Sequence, residues 1–231
     1  MITYASNLIC LLFLAVFLIG LTGISIIKAQ DKDAGLWTTI GIEVKVVKKV
    51  TASFSQEFRF NENISELGTI FSEAGLEYKV NKHFRVSANY RFTLKKRLDD
   101  YYGSRYRFFV DVKYDKKIKP IEITWRGRLQ KETANPTRSE FGGIPEYYLR
   151  NKIGAKWDLD KPYAPYLSLE VFSRLSYPRF YAFDNIRTSV GMEYAFSKHH
   201  KVDLYYMIQK EFYVSHPETD FIIGLGYLYK I

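Results

Sequence analysis

Cysteine is nearly absent from this 231-residue chain: the single thiol, Cys10, lies within an N-terminal apolar run. Once that run is removed the chain has none, which excludes disulfides, thiol catalysis and cysteine metal sites. Histidine is scarce as well, at four copies: His83, His199, His200 and His216. The first three fall in or beside short turns, where an exposed polar residue needs no further reason. His216 follows Ser215, but neighbouring residues of an extended segment point to opposite sides. No matching acid accompanies them for nucleophilic catalysis. His199 and His200 supply two potential metal ligands without a third. No phosphate loop, dinucleotide fingerprint or carboxylate dyad occurs. No catalytic residue, cofactor or metal is expected.

The net charge is +9, yet the positive residues are spread along the chain rather than gathered on one helix or arm. That distribution argues against a nucleic-acid partner. Lys and Arg are also missing ahead of the apolar run 8–27, LICLLFLAVFLIGLTGISII, after which comes KAQDKD. The run reads as a secretory signal peptide over 1–29, cut after Ala29, with one domain over 30–231. Twenty residues are long for a signal and could cross a bilayer as a helix. The all-β character of residues 36–231 favours removal.

The sequence is rich in alternation. From residue 36 the hydrophobic period is two, in segments 36–46, 50–60, 68–80, 83–95, 103–115, 120–131, 147–159, 164–175, 185–197, 201–214 and 221–231. Strands of ordinary globular proteins average about five or six residues, whereas a tilted transmembrane strand needs about nine to eleven. The connections alternate short and long, as in a meander with tight turns at one end. The short ones carry Lys48, Lys49, Lys82, Lys116, Lys117, Lys119, Lys161 and Lys198, and the long ones lean acidic, with Glu62, Glu66, Asp99, Asp100, Glu132, Glu140, Glu146, Asp184, Glu218 and Asp220. Turn lysines can meet phospholipid head groups, and an acidic rim would attract cations.

Aromatic residues make up 17% of the chain and collect at the ends of the segments. Tyr78, Phe84, Tyr114, Trp157, Tyr194, Phe196, Tyr227 and Tyr229 lie near the short turns. Phe58, Phe60, Phe92, Tyr106, Tyr147, Phe212 and Phe221 lie near the long loops. Two girdles are what a barrel crossing a bilayer presents to lipid. The expected fold is an all-β, up-and-down antiparallel transmembrane β-barrel of ten to twelve strands. Eleven segments are visible, but bacterial barrels are even-numbered. Either one strand is merged, giving twelve, or the first is not a wall strand, giving ten; twelve is preferred.

The polar comb is dominated by arginine. The lumen network expected from it comprises Glu57, Arg59, Arg85, Arg91, Arg105, Arg107, Glu122, Arg126, Arg128, Arg150, Glu170, Arg174, Arg187 and Glu193. Glu73, Glu77, Asp111, Lys152, Asp203 and Glu211 share that face, as do Gly41, Gly75, Gly154, Gly191, Gly224 and Gly226. Arginine is preferred where charges are partly buried and held by paired hydrogen bonds. The network either braces the barrel or lines a path for a small solute; segregated basic and acidic stripes would favour a path, intermixed pairs a plug.

The stretches GLWTTIGIEVKV, SFSQEFRFNEN and GLEYKVNKHFRVSANYRF resemble the family catalogued as domain of unknown function 2490. The matching positions are Trp37 in the first strand, Glu57 with Arg59, and Tyr90 with Arg91, and the likeness runs over about residues 35–231. The resemblance implies an exported barrel of Gram-negative bacteria and no established activity. The expected location is the outer membrane, with its lipid and the barrel-assembly machinery as partners. The last strand, FIIGLGYLYKI, has the alternation such machinery would read, although it ends in Ile231 rather than Phe. A structural or narrow, charge-lined pore protein without chemistry of its own is the expected function. A lipid-modifying enzyme of the outer membrane and a soluble secreted lipid-binding barrel, with its apolar comb inward, are the alternatives.

Overall fold

The alternation is realised as eleven long strands that close on themselves. The computed structural model describes residues 31–96, 101–134, 145–176, 183–213 and 217–231. The strands are β1 (Asp31–Val47), β2 (Val50–Asn61), β3 (Glu66–Lys79), β4 (Phe84–Lys96), β5 (Tyr102–Ile118), β6 (Ile121–Ala134), β7 (Glu146–Trp157), β8 (Tyr163–Arg174), β9 (Asn185–Ala195), β10 (His200–Glu211) and β11 (Glu218–Lys230). Each of the eleven segments read from the alternation corresponds to one of them. The segment 1–29, the loop acids Asp99, Asp100 and Glu140, and the pair Ser215 and His216 lie outside the described residues.

Consecutive strands pair antiparallel, and the barrel closes between β1 and β11. That last pairing is parallel, in register from Asp31 opposite Glu218 to Glu43 opposite Lys230. Eleven lies within the expected ten to twelve, and the preference for twelve gives way. An even count is needed only where every neighbour is antiparallel; one parallel seam lets an odd number close. The first segment is a full wall strand. Asp31 therefore lies at the end of the long connections and Ile231 at the end of the short turns.

One long-loop connection is tied to the seam. Glu62, Asn63 and Ile64 take left-handed conformations, with φ of 50, 55 and 69°. The Asp33 carboxylate accepts the amides of Glu62 and Asn63 at 3.0 and 2.7 Å, and Ile64 N–H donates to Ala34 O at 3.0 Å. The β2–β3 loop is thus clamped to the start of β1.

Facing obeys the period of two. The apolar comb points out: Phe108 is 60% exposed, Leu76 59%, Ile153 58% and Leu129 54%. Cross-strand aromatic pairs reinforce this outer surface, among them Phe84–Tyr114 at 5.0 Å and Tyr90–Phe108 at 4.7 Å between ring centroids. The polar comb points in, where glycines accommodate large neighbours. A Cβ on Gly191 would lie 2.6 Å from the Tyr166 hydroxyl and 2.7 Å from Tyr205 Cβ. The latter is fixed to the paired backbone of β10 and cannot swing aside. Gly191→Ala removes chain entropy worth about 0.5–1 kcal/mol in its favour, but overpacking of this kind costs about 1–3 kcal/mol. The expected net result is a lower urea midpoint for the refolded barrel.

Candidate functional site

A belt of alternating arginines and aromatic rings runs around the lumen. Arg128 of β6 lies over Phe109 of β5 at 3.7 Å, and Arg91 of β4 lies between Phe109 at 6.0 Å and Phe71 of β3 at 3.7 Å. Arg59 of β2 bridges Phe71 at 4.9 Å and Trp37 of β1 at 3.5 Å. Arg187 of β9 reaches Trp37 at 5.2 Å across β10 and β11, and Phe172 of β8 at 4.6 Å. Arg150 of β7 covers Phe172 at 4.1 Å and sits opposite Arg128, so the belt closes. A guanidinium is weakly hydrated and stacks on a ring face, which lets the lumen carry this many cations at close quarters.

Carboxylates hold most of the guanidinium edges. Glu57 accepts from Arg59 Nε at 2.6 Å, and Glu73 from Arg91 Nε at 2.7 Å. Asp111 takes Arg128 in a two-pronged pair at 2.7 and 2.8 Å, with both residues buried. Glu170 Oε1 accepts from Arg126 Nη2 at 2.5 Å and Arg150 Nε at 2.9 Å. Towards the long loops, Glu132 pairs with Arg105 at 3.2 Å and with Arg107, while Arg174 sits 3.6 Å from Glu146 and 3.7 Å from Asp184. Towards the short turns, Arg85 pairs with Asp115 and Glu77, Glu193 with Lys201 at 2.7 Å, and Glu122 with Lys156 at 3.5 Å. Arg187 is the exception: its Nε donates to Gln209 at 2.6 Å, and among the described residues no carboxylate pairs with it.

Four of the acids assigned to the long connections are therefore not free. Glu132, Glu146 and Asp184 are taken by arginines, and Glu66 by Lys96 at 3.2 Å. Beyond the strands, burial pushes the Asp184 carboxyl up. At the other end Lys117 holds the Asp158 carboxyl below its usual range, helped by the Asp160 amide. The short-turn histidines have partners: the Nδ1 of His83 bonds Asp115 O at 2.9 Å, that of His199 bonds Lys230 O at 2.6 Å, and that of His200 bonds the Tyr227 hydroxyl at 2.7 Å.

Two cavities occupy the lumen. The larger, about 1070 Å³, is lined by eleven basic and eight acidic side chains. The smaller, about 400 Å³ at the short-turn mouth, is lined by six basic and three acidic ones, Lys45, Lys48, Lys49, Lys79, Lys82 and Arg85 among them. They share no lining residue. Both are net positive.

Charge is unevenly placed around the circumference. Directly opposed residues run Arg85, Lys113, Arg126, Lys152 across β4 to β7, then Glu170, Arg187, Gln209, Asp220 and Asp33 across β8 to β1. A row of opposed residues is perpendicular to its strands, and barrel strands tilt. The row therefore climbs from the basic short-turn mouth to the long-loop end, where it turns acidic. Four like charges in direct opposition would destabilise a sheet; Glu77 offsets Arg85 and Lys113, and Glu170 offsets Arg126.

The rings of the belt were not foreseen from the sequence. Phe71, Phe109 and Phe172 are buried in the lumen. Each comes directly after an outward apolar residue, forming the doublets Ile70-Phe71, Phe108-Phe109 and Val171-Phe172. Such doublets break a strict alternation and are the signal by which the rings could be found. A family described as protein of unknown function (DUF2490) has a sequence model that matches residues 34–220. No curated protein matches the chain.

Proposed function

We propose a role for this chain, which belongs to the DUF2490 family of proteins of unknown function: it is an outer-membrane β-barrel with a narrow, positively lined bore for small anions, and not an enzyme. The observation that carries the reading is the direction of the two combs. Large apolar side chains stand exposed along the strands, as Leu76, Phe108, Leu129 and Ile153 do, while Asp111, Arg128, Arg150 and Glu170 are buried inside. In water such an outer surface far exceeds the apolar patch a monomer normally shows; in a bilayer it is the wall. A soluble lipid-binding barrel needs the opposite facing, with an apolar cavity. Lysines at the short turns would sit among phospholipid head groups, and β11 would be the strand read by the assembly machinery.

Selectivity comes from the lining. With bases outnumbering acids in both cavities, the bore repels cations and concentrates anions. The purified, refolded protein in planar bilayers is expected to give discrete current steps, with a reversal potential on the anion side in a KCl gradient. Lys152→Gln together with Arg126→Gln should shift that potential towards the cation side. A folded barrel that stays silent at all voltages would sink the pore reading.

A further inference from the structure

The upper part of the basic row has more positive charge than its carboxylate can balance. Arg126, Arg150, Lys152 and Arg187 surround Glu170, which lies opposite Lys152 on one side and Arg187 on the other. Glu170 Oε1 is shared by Arg126 and Arg150. Arg126 Nε is buried without a hydrogen-bond partner among the described residues. Lys152 is partly buried and lines the larger cavity, and its nearest carboxylate across the strand pair, Glu170, is already taken by the two arginines.

We infer that this wall of the larger cavity is a binding site for a small, doubly charged oxyanion such as inorganic phosphate, held by Lys152, Arg126 and Arg187. Four cations against one carboxylate leave an excess of three positive charges in one patch. Opposed cations on neighbouring strands repel one another unless an anion sits between them, and an ammonium has three donors to satisfy. A dianion supplies both the charge and the acceptors. Lys152 contributes a point charge, while the two guanidinium groups present planar pairs of donors suited to oxyanions. Ser168 lines the same cavity and provides a neutral hydroxyl beside them. The inference rests on the reading of a water-filled, positively lined lumen and adds to it a particular ligand class at a particular place.

The test is calorimetric titration of the refolded full-length barrel in detergent with sodium phosphate at constant ionic strength. One saturable site is expected. Lys152→Met should weaken it at least tenfold, whereas Lys201→Met, which removes a lysine paired with Glu193, should leave the affinity within about twofold. In phosphate-free buffer Lys152→Met should raise the urea midpoint, because it relieves repulsion; this also guards against mistaking misfolding for lost binding. Absence of saturable heat, or equal affinity in Lys152→Met, overturns the site. Phosphate binding without any bilayer current supports the site while sinking the pore; current without phosphate binding does the reverse.

Discussion

Asp111→Ala is expected to cost the barrel about 3–5 kcal/mol, the range for removing one partner of a buried ion pair. Asp111 and Arg128 are 2% and 6% exposed, and the carboxylate meets the guanidinium through two bonds of 2.7 and 2.8 Å. Arginine cannot shed its proton to escape burial. Without Asp111 its charge would remain in the wall, held only by the ring of Phe109. The double variant Asp111→Leu with Arg128→Met removes both charges and should unfold at a urea concentration no lower than the parent, since such replacements are often neutral or stabilising. By contrast, Lys119→Ala breaks an ion pair with Asp160 that is largely in solvent, where a pair is worth about 0–1 kcal/mol. Unfolding of the refolded barrel, monitored by tryptophan fluorescence and by gel migration with and without heating, checks the three together. A loss below about 1 kcal/mol in Asp111→Ala, well under the buried-pair range, would mean that water reaches Arg128 freely.

Much of this architecture was legible because a period of two leaves one face per comb. The run Phe84, Val86, Ala88, Tyr90, Phe92 of β4 points out, and Arg85, Ser87, Asn89, Arg91 point in. Strand number was harder. Nothing in FIIGLGYLYKI or GLWTTIGIEVKV says that these two segments pair with each other, in parallel; closure is a property of the whole ring. The arginines were identifiable by type, but their environment was not. An inward phenylalanine beside an outward one reads as a lapse in pattern until Phe109 is seen between Arg128 and Arg91. The pairing of the acids at the long-loop end was missed for a related reason. Glu132 and Glu146 were counted with the loops, yet their register sets them against one another inside the wall, within reach of Arg105, Arg107 and Arg174. Residue type tells which charges are present, and only register assigns their partners.

Leu129→Arg separates lipid from water on the outer face. Leu129 stands 54% exposed near the middle of β6, between Arg128 and Gln130, which are buried inside. If the outer face meets hydrocarbon, a guanidinium at mid-depth costs about 2–4 kcal/mol, falling to about 0–1 near the interfaces. Ile118→Arg, at the short-turn end of β5 where the native residue is 54% exposed, should then cost little. Equal exposure at the two positions makes the comparison informative: in water an exposed leucine and an exposed isoleucine are equally free to become arginine, usually within about 0.5 kcal/mol. Depth dependence therefore has no source but the bilayer. Refolding into phospholipid vesicles with a urea series should give a midpoint clearly lowered for Leu129→Arg and nearly unchanged for Ile118→Arg. Equal midpoints for both, close to the parent, would return the outer face to solvent and with it the soluble reading of the barrel.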